Sequence, residues 1–272
     1  MSIIEAIILG IIQGLTEFLP VSSSGHIELG KVILDIHPKD PLLFSIVVHA
    51  ATALSTIIIF WKDIWQIIKE LLQFKWNTAT QYTAKIALSM IPVGVVGVLW
   101  EDEIEALFDG KVLLVGAMLI ITGLLLYFST RAKETDGEVS FFKAIVIGLA
   151  QAVAILPGIS RSGATISTSL LLGVSREEAA RFSFLMVLPP ILGATLLKVK
   201  KYLEVSGEAT SAVTEQMNAL TLGIGFLAAF LTGLLACTLM IRIVKQGRLI
   251  YFSIYCWIVG GIAVLYHFLK FM

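Results

Sequence analysis

The sequence predicts an all-α integral membrane protein, an inverted-topology repeat with about six transmembrane helices and two re-entrant helical hairpins. Three observations lead to this prediction. Of the 272 residues, 57% are hydrophobic and 15% are charged, and the mean hydropathy of +0.90 is too high for an ordinary soluble domain. Apolar segments long enough to cross a bilayer recur along the chain. Two polar stretches containing proline and glycine interrupt this pattern at equivalent places.

The first polar stretch, GLTEFLPVSSSGH, runs from Gly14 to His26. Charged groups at membrane depth cost roughly 2.5–3.5 kcal/mol each and normally face a cavity or a partner. Pro20 removes a backbone donor and Gly25 permits a tight turn, so the polar groups lie where a helix breaks. This break is the first candidate site, and its polar side chains are Glu17, Ser22, Ser23, Ser24 and His26.

The second polar stretch repeats the first at a displacement of 138 residues. Residues 144–163 align with residues 6–25 without a gap, so that Gln151 matches Gln13. The repeat predicts a first half of about 1–130, a linker at 131–138 and a second half of about 139–272. The two copies differ at three chemically important positions, where Glu17, Ser23 and His26 are replaced by Ile155, Arg161 and Ala164.

Segment lengths distinguish hairpins from crossings. Residues 3–19 and 26–36 are each too short to span about 30 Å comfortably at about 1.5 Å per residue, which favours a re-entrant hairpin. The same argument predicts a second hairpin from 141–157 and 160–174. Charged residues alternate with Ile, Leu and Trp at helical spacing over 62–76, which predicts an amphipathic interfacial helix. The predicted crossings are 42–61, 83–100, 112–129, 182–199, 220–241 and 249–271.

Three crossings in each half give the halves opposite orientations and bring the two breaks face to face near the midplane. Lys and Arg are concentrated in 62–82, 131–181 and 242–248, which predicts that these segments are cytoplasmic and that the acidic 101–109 loop is external. In that loop a solvated turn is favoured over a metal site. The net charge of zero gives no indication of nucleic-acid binding. His49, Cys237 and Cys256 are interpreted as packed groups.

If the two breaks face each other, a carboxylate, hydroxyls and an imidazole from the first break lie opposite Arg161 from the second. The planar guanidinium suits phosphate oxygens, and a helix that starts after Gly158 would add backbone N–H donors. Ser23 and His26 are about one helical turn apart, so the imidazole could act on the hydroxyl as a base or serve as an acid for a leaving group. The nucleophile remains open among Ser23, His26 and water.

The segments QGLTEFLPVSSSGH (13–26) and PGISRSGAT (157–165) resemble the two signature motifs of the bacterial undecaprenyl-pyrophosphate phosphatase family, of the bacitracin-resistance type. The resemblance covers nearly the full length. It implies a multi-pass hydrolase of the bacterial cytoplasmic membrane, with an active site that opens to the outer side. The implied reaction converts undecaprenyl diphosphate to the monophosphate and inorganic phosphate, which recycles the lipid carrier for cell-wall synthesis.

The resemblance also implies roles for particular residues. Gln13 occupies a position that is glutamate in some members. This chain therefore lacks, at that position, the second carboxylate that a mechanism with two carboxylates would need. The implied activity is assisted by Mg²⁺ or Ca²⁺, and Glu17 would bridge such an ion to the diphosphate. The partners are the polyprenyl diphosphate and membrane lipids, with a homodimer left open. The predicted catalytic residues are Glu17, Ser23, His26 and Arg161, and the predicted substrate-binding residues are Gln13, Ser22, Ser24, Ser160, Ser162 and Thr165.

A transporter or flippase of a phosphorylated lipid or anion is the competing hypothesis. Inverted repeats with broken helices are a transporter design, and fold alone does not determine function. We favour the enzyme because phosphate binding requires Arg161 but does not require Ser23 and His26 beside it. A purely structural scaffold would leave the charges within the membrane unexplained.

Overall fold

The computed structural model describes residues 1–34, 41–107, 111–208 and 218–270. Within these ranges every regular element is an α-helix. The helices are α1 Ile3–Phe18, α2 Ser23–Leu34, α3 Pro41–Ile59, α4 Trp61–Leu71, α5 Thr78–Leu99, α6 Glu101–Glu105, α7 Val112–Ser129, α8 Phe141–Val153, α9 Arg161–Leu171, α10 Arg176–Met186, α11 Leu188–Glu208, α12 Ala219–Lys245 and α13 Ile250–Lys270.

The predicted all-α membrane protein is confirmed. Among the described residues, five segments are long and apolar enough to cross a bilayer: α5, α7, α12, α13 and the Arg176–Leu197 stretch of α10 and α11. A sixth crossing is obtained if α3 and α4 count as one span with a 76° bend between them. The bend lies at Phe60, and α4 beyond it has no buried residue, as the amphipathic pattern predicts.

The helices that flank the two breaks are short. α1 and α2 have 16 and 12 residues, and α8 and α9 have 13 and 11, so each is shorter than a bilayer crossing. Matching helices in the two halves begin at equivalent positions. Ile3, Ser23 and Val112 are each followed 138 residues later by the first residue of another helix.

Small residues allow each short hairpin to approach a long helix closely, as is common between membrane helices. α1 packs against α12, where a Cβ at Gly10 would lie 2.6 Å from the Gly225 carbonyl oxygen. α8 packs against α5, where a Cβ at Gly148 would lie 2.8 Å from the Cα of Ser89. Each half therefore supplies the long helix on which the hairpin of the other half rests.

Three local features differ from the sequence-based expectation. The acidic 101–109 loop begins with the short helix α6, while its last two residues and the predicted helix residues 35–36 lie outside the described ranges. α10 begins at Arg176, six residues before the predicted crossing, because Ser175 caps it. The helix is interrupted at Val187 rather than bent at Pro189-Pro190, since proline suits the first turn of a new helix.

Candidate active site

The first break separates α1 from α2. The amide N–H of Leu19 still bonds to the helix through the carbonyl of Leu15, and the backbone then leaves the helix. Ser22 is buried and has a φ of 69°, a left-handed conformation that is uncommon for a residue with a Cβ. Its hydroxyl accepts the N–H of Gly25 at 3.3 Å, which caps the start of α2.

The second break separates α8 from α9 and repeats this capping arrangement. Gly158 has a φ of 99°, which favours glycine. The Ser160 hydroxyl accepts the N–H of Gly163 at 3.0 Å and caps α9. Thr122 on α7 fixes the break from outside, because its hydroxyl donates to the Gly158 carbonyl at 3.0 Å and accepts the Ser160 N–H at 3.1 Å.

The two breaks touch each other. The N–H of Gly158 donates to the Ser22 hydroxyl at 3.2 Å, so a single buried oxygen accepts hydrogen bonds from both breaks. The Ser162 hydroxyl donates to the Leu19 carbonyl at 3.4 Å. Gly25 lies against Gly158, where an added Cβ would come within 3.1 Å of the Gly158 Cα. The predicted meeting of the two motifs is thus present in the structure.

A polar centre forms where they meet. Arg161 at the start of α9 makes an ion pair with Glu17 near the end of α1, and the Glu17 side chain is only 5% exposed. The second carboxylate oxygen of Glu17 accepts the Ser23 hydroxyl at 2.7 Å and the Gln13 side-chain amide at 3.0 Å. Thus Ser23 and Arg161 each contact the same buried carboxylate, through different oxygens.

A narrow cavity adjoins this centre and is lined by Glu17 and Arg161 themselves. Its polar lining residues are Thr52, Thr56, Ser162, Thr165 and Ser183, and its apolar lining residues are Phe18, Phe184, Val187 and Ile191. The cavity therefore combines hydroxyl groups and a guanidinium with apolar side chains suited to hydrocarbon.

The structure does not place His26 against the Ser23 hydroxyl. Its Nδ1 lies 2.9 Å from the Ser22 carbonyl, and its Nε2 lies 2.8 Å from the hydroxyl of Tyr255 on α13. The one-turn spacing brings His26 near Ser23 along the helix, but the ring contacts the carbonyl four residues before it, as His49 does with Ser45. Ser23 takes Glu17 as its partner instead.

The remaining predicted substrate-binding residues have different roles in the structure. Ser22 and Ser160 cap helices, and each lies near a second hydroxyl, at 3.4 Å to Ser24 and 3.2 Å to Ser162. Thr165 lines the cavity, donates to the Arg161 carbonyl at 2.9 Å and contacts the Ser183 hydroxyl. Gln13 supports the carboxylate. Ser162 and Thr165 therefore face the cavity, while Ser22 and Ser160 hold the two breaks in shape.

Sequence reasoning missed several groups around the centre. Thr52 and Thr56 line the cavity, and His49 on the same helix interacts electrostatically with Glu17 while its Nδ1 lies 2.8 Å from the Ser45 carbonyl. Positions 49, 52 and 56 are polar and recur at helical spacing in an apolar segment. This stripe of polar residues is the sequence pattern that could have indicated the cavity lining. Thr122 and Tyr255 are distant in sequence, and no local pattern indicates them.

The described residues contain no cluster of three or more His, Cys, Asp or Glu side chains that could hold a metal ion. Glu17 is the carboxylate at the centre. Mg²⁺ is commonly held by one or two carboxylates together with substrate phosphate oxygens, so the donor set fits an ion that binds with the substrate. Glu17 would hold such an ion, which would neutralise phosphate charge.

The fold and the site define a multi-pass helical membrane protein with a buried Arg–carboxylate–serine centre between two broken hairpins. The chain belongs to the family described as bacitracin resistance protein BacA, whose family model matches residues 6–262.

Proteins named undecaprenyl-diphosphatase are similar over nearly their whole length. One from Christiangramia forsetii is 55% identical over 268 residues, 98% of each chain. One from Bacteroides fragilis is 52% identical over 261 residues, and one from Halothermothrix orenii is 42% identical over 263 residues, each covering 96% of both chains. The family resemblance of the two motifs is confirmed.

Proposed function

We propose that this protein is an undecaprenyl-diphosphatase, a phosphoric anhydride hydrolase that releases the terminal phosphate of undecaprenyl diphosphate. The observation that carries the proposal is the buried contact of Arg161, Glu17 and Ser23 at the meeting of two broken hairpins. The names of the relatives support the same activity. A transporter is not favoured, because a hydroxyl held on a carboxylate is a feature of nucleophilic catalysis rather than of anion passage.

In this proposal the substrate diphosphate replaces Glu17 as the partner of Arg161. The guanidinium fork would bind phosphate oxygens and stabilise the charge of the transferring group. The N-terminus of α9, which has 11 residues, would add a positive dipole end. Ser162 and Thr165 would line the phosphate site from the same helix, and the apolar lining residues, Phe18 among them, would contact the first part of the lipid chain.

The hydrolysis then proceeds in two steps. The oxygen of Ser23 attacks the terminal phosphorus while Glu17 accepts its proton, and the bond to the bridging oxygen breaks so that its electron pair leaves with undecaprenyl phosphate. Water then attacks the phosphorus of the phosphoserine, the bond to the Ser23 oxygen breaks, that oxygen recovers the proton held by Glu17, and inorganic phosphate is released. We assign His26 to proton transfer with the water or the leaving group, because Glu17 is the group that contacts Ser23.

Phosphate release tests this function directly. Purified protein should release inorganic phosphate from undecaprenyl diphosphate, and Ser23→Ala should abolish turnover while remaining monodisperse in detergent. With substrate carrying radiolabel in its terminal phosphate, an acid-stable adduct would identify phosphoserine. An acid-labile, alkali-stable adduct would instead assign the nucleophile to His26, and no adduct would assign it to water.

The divalent ion is tested in the same assay. We expect EDTA to lower turnover and added Mg²⁺ or Ca²⁺ to restore it, since Arg161 alone leaves most of the diphosphate charge unneutralised and Glu17 adds a further negative charge beside it. Unchanged turnover in EDTA would remove the ion from the proposal.

We further propose that the protein lies in the cytoplasmic membrane with its site open to the periplasmic side. The distribution of Lys and Arg supports this orientation. Glu103→Cys should be labelled by an impermeant thiol reagent in intact cells and Glu134→Cys should not, since both side chains are exposed and the native cysteines are buried. Reversed labelling would overturn the orientation.

Mass measurement in detergent decides between a monomer and a homodimer.

A further inference from the structure

His26 and Tyr255 form a pair that joins the two halves of the chain. The Nε2 of His26 lies 2.8 Å from the Tyr255 hydroxyl, and the two residues are 229 positions apart in the sequence. Their rings are also stacked, with centroids 5.6 Å apart and planes inclined by 13°. We propose that Tyr255 is a positioning residue that holds His26 for proton transfer, an inference that rests on the proposed function.

The other nitrogen of His26 fixes which atom carries the proton. Nδ1 lies 2.9 Å from the Ser22 carbonyl, and a carbonyl oxygen can only accept a hydrogen bond. Nδ1 therefore carries a hydrogen in both the neutral and the charged ring. In the neutral ring Nε2 is left as an acceptor, so the Tyr255 hydroxyl donates to it.

A phenol can partner Nε2 in both protonation states. When Nε2 gains a proton it becomes a donor, and the same hydroxyl oxygen then accepts. The ring can thus keep this partner and its orientation in both the neutral and the charged state. Phenylalanine at this position would retain the stacked ring and would leave Nε2 without the hydroxyl.

The exposure of Tyr255 allows a positioning role to be distinguished from a packing role. Its side chain is 42% exposed, so removal of the hydroxyl creates no cavity in a core. Tyr251 lies one turn earlier on α13 and is 65% exposed. Tyr251→Phe removes the same atom from the same helix and is the matched control.

The first experiment measures the hydrolysis of undecaprenyl diphosphate by Tyr255→Phe. We expect kcat to fall by roughly tenfold to 10²-fold, the scale of a misplacement by about 1 Å, with KM and the thermal midpoint unchanged. Tyr251→Phe should match the wild type. Equal turnover of the two variants would overturn the positioning role, whereas an inactive wild type would overturn the proposed function instead.

The second experiment asks whether Tyr255 acts through His26. If it does, Tyr255→Phe should have no further effect in a His26→Gln background, because interacting residues are not additive. A fully additive loss would contradict the proposal.

Nitrogen NMR of histidine-labelled protein in micelles supplies a readout independent of turnover. The His26 signals, identified by their loss in His26→Gln, should show protonated Nδ1 and should change at Nε2 in Tyr255→Phe. An unchanged spectrum would also contradict the pair.

Discussion

The two breaks use the same hydrogen bonds to present different chemical groups. Ser22 accepts the Gly25 N–H in the first break, and Ser160 accepts the Gly163 N–H in the second. At the next position the first break carries Ser23 and the second carries Arg161. The comparison shows that the shared serines and glycines build the turns, whereas the residues that differ supply the hydroxyl and the cation.

Equivalent positions nevertheless adopt different conformations. Ser22 has a left-handed backbone with a φ of 69°, whereas Ser160 is extended with a φ of −76°. Ser22 also accepts the Gly158 N–H from the opposite break. The uncommon backbone conformation therefore lies in the first break, at the residue whose side chain joins the two breaks.

The largest expected effect concerns the group that only the second break supplies. Arg161→Lys keeps the charge but loses the fork that binds two oxygens, so kcat/KM should fall by roughly 10²- to 10³-fold. Arg131→Lys, at an exposed arginine beside Tyr127, should match the wild type. Near-normal turnover of Arg161→Lys would mean that the second break serves only as a structural copy of the first.

The next effect concerns the strained serine. Ser22→Ala leaves a left-handed residue without its hydroxyl and removes the acceptor of a buried N–H, which should destabilise the fold by about 2–4 kcal/mol. Ser160→Ala loses a helix cap, at about 0.5–2 kcal/mol. Thermal midpoints in detergent should rank Ser22→Ala below Ser160→Ala, and Ser22→Gly should lie between Ser22→Ala and the wild type. An equal loss for both alanine variants would contradict the asymmetry of the breaks.

A third test addresses the close approach of the breaks. A Cβ at Gly25 would lie 3.1 Å from the Gly158 Cα, and neither backbone can yield easily. Gly25→Ala should therefore lower stability by about 1–3 kcal/mol, as overpacking does. Gly94 has no atom within 4 Å of an added Cβ, so Gly94→Ala is the matched control and should keep or raise the thermal midpoint. If both variants unfold alike, the contact between the breaks contributes nothing.

The smallest effect is expected at equivalent glutamines. Gln13 donates to Glu17, whereas both amide atoms of Gln151 are buried without a hydrogen-bond partner among the described residues. Gln151→Met should leave stability unchanged or raise it by about 1 kcal/mol, because it removes unpaired polar groups. Gln13→Met should lower turnover. A clear destabilisation by Gln151→Met would reveal a partner for its amide.

Much of the fold could be predicted from the sequence because the hydrophobic pattern is local. The apolar run 112–129 coincides with α7, and the length argument placed both short hairpins correctly. The meeting of the breaks could be predicted because the repeat relates them. Contacts set by tertiary packing could not. Glu177 and Arg181 are four residues apart on one helix, a spacing typical of an ion pair, yet Arg181 contacts Asp63 at 2.7 Å and Glu177 contacts Lys245.

Within the site, the residue types were predictable and their partners were not. Glu17, Ser23 and Arg161 come together, but the prediction that His26 lies against Ser23 rested on helical spacing alone. Both ring nitrogens of His26 have other partners, and the partner of Nε2 is Tyr255 in the other half of the chain. A pattern within one segment contains no information about such a partner.

The packing of α1 on α12 has a consequence for how the protein is made. The face of α1 that carries Gly10 and Gly14 rests on Gly225 and Ala229, about 200 residues later in the chain. At about 5–20 residues per second, the ribosome needs roughly 10–40 s to synthesise that partner. During this interval the first hairpin is present without α12, and for most of it the carboxylate of Glu17 is also without Arg161. The packing of the first hairpin is therefore completed only late in synthesis, after its charge partner has been made.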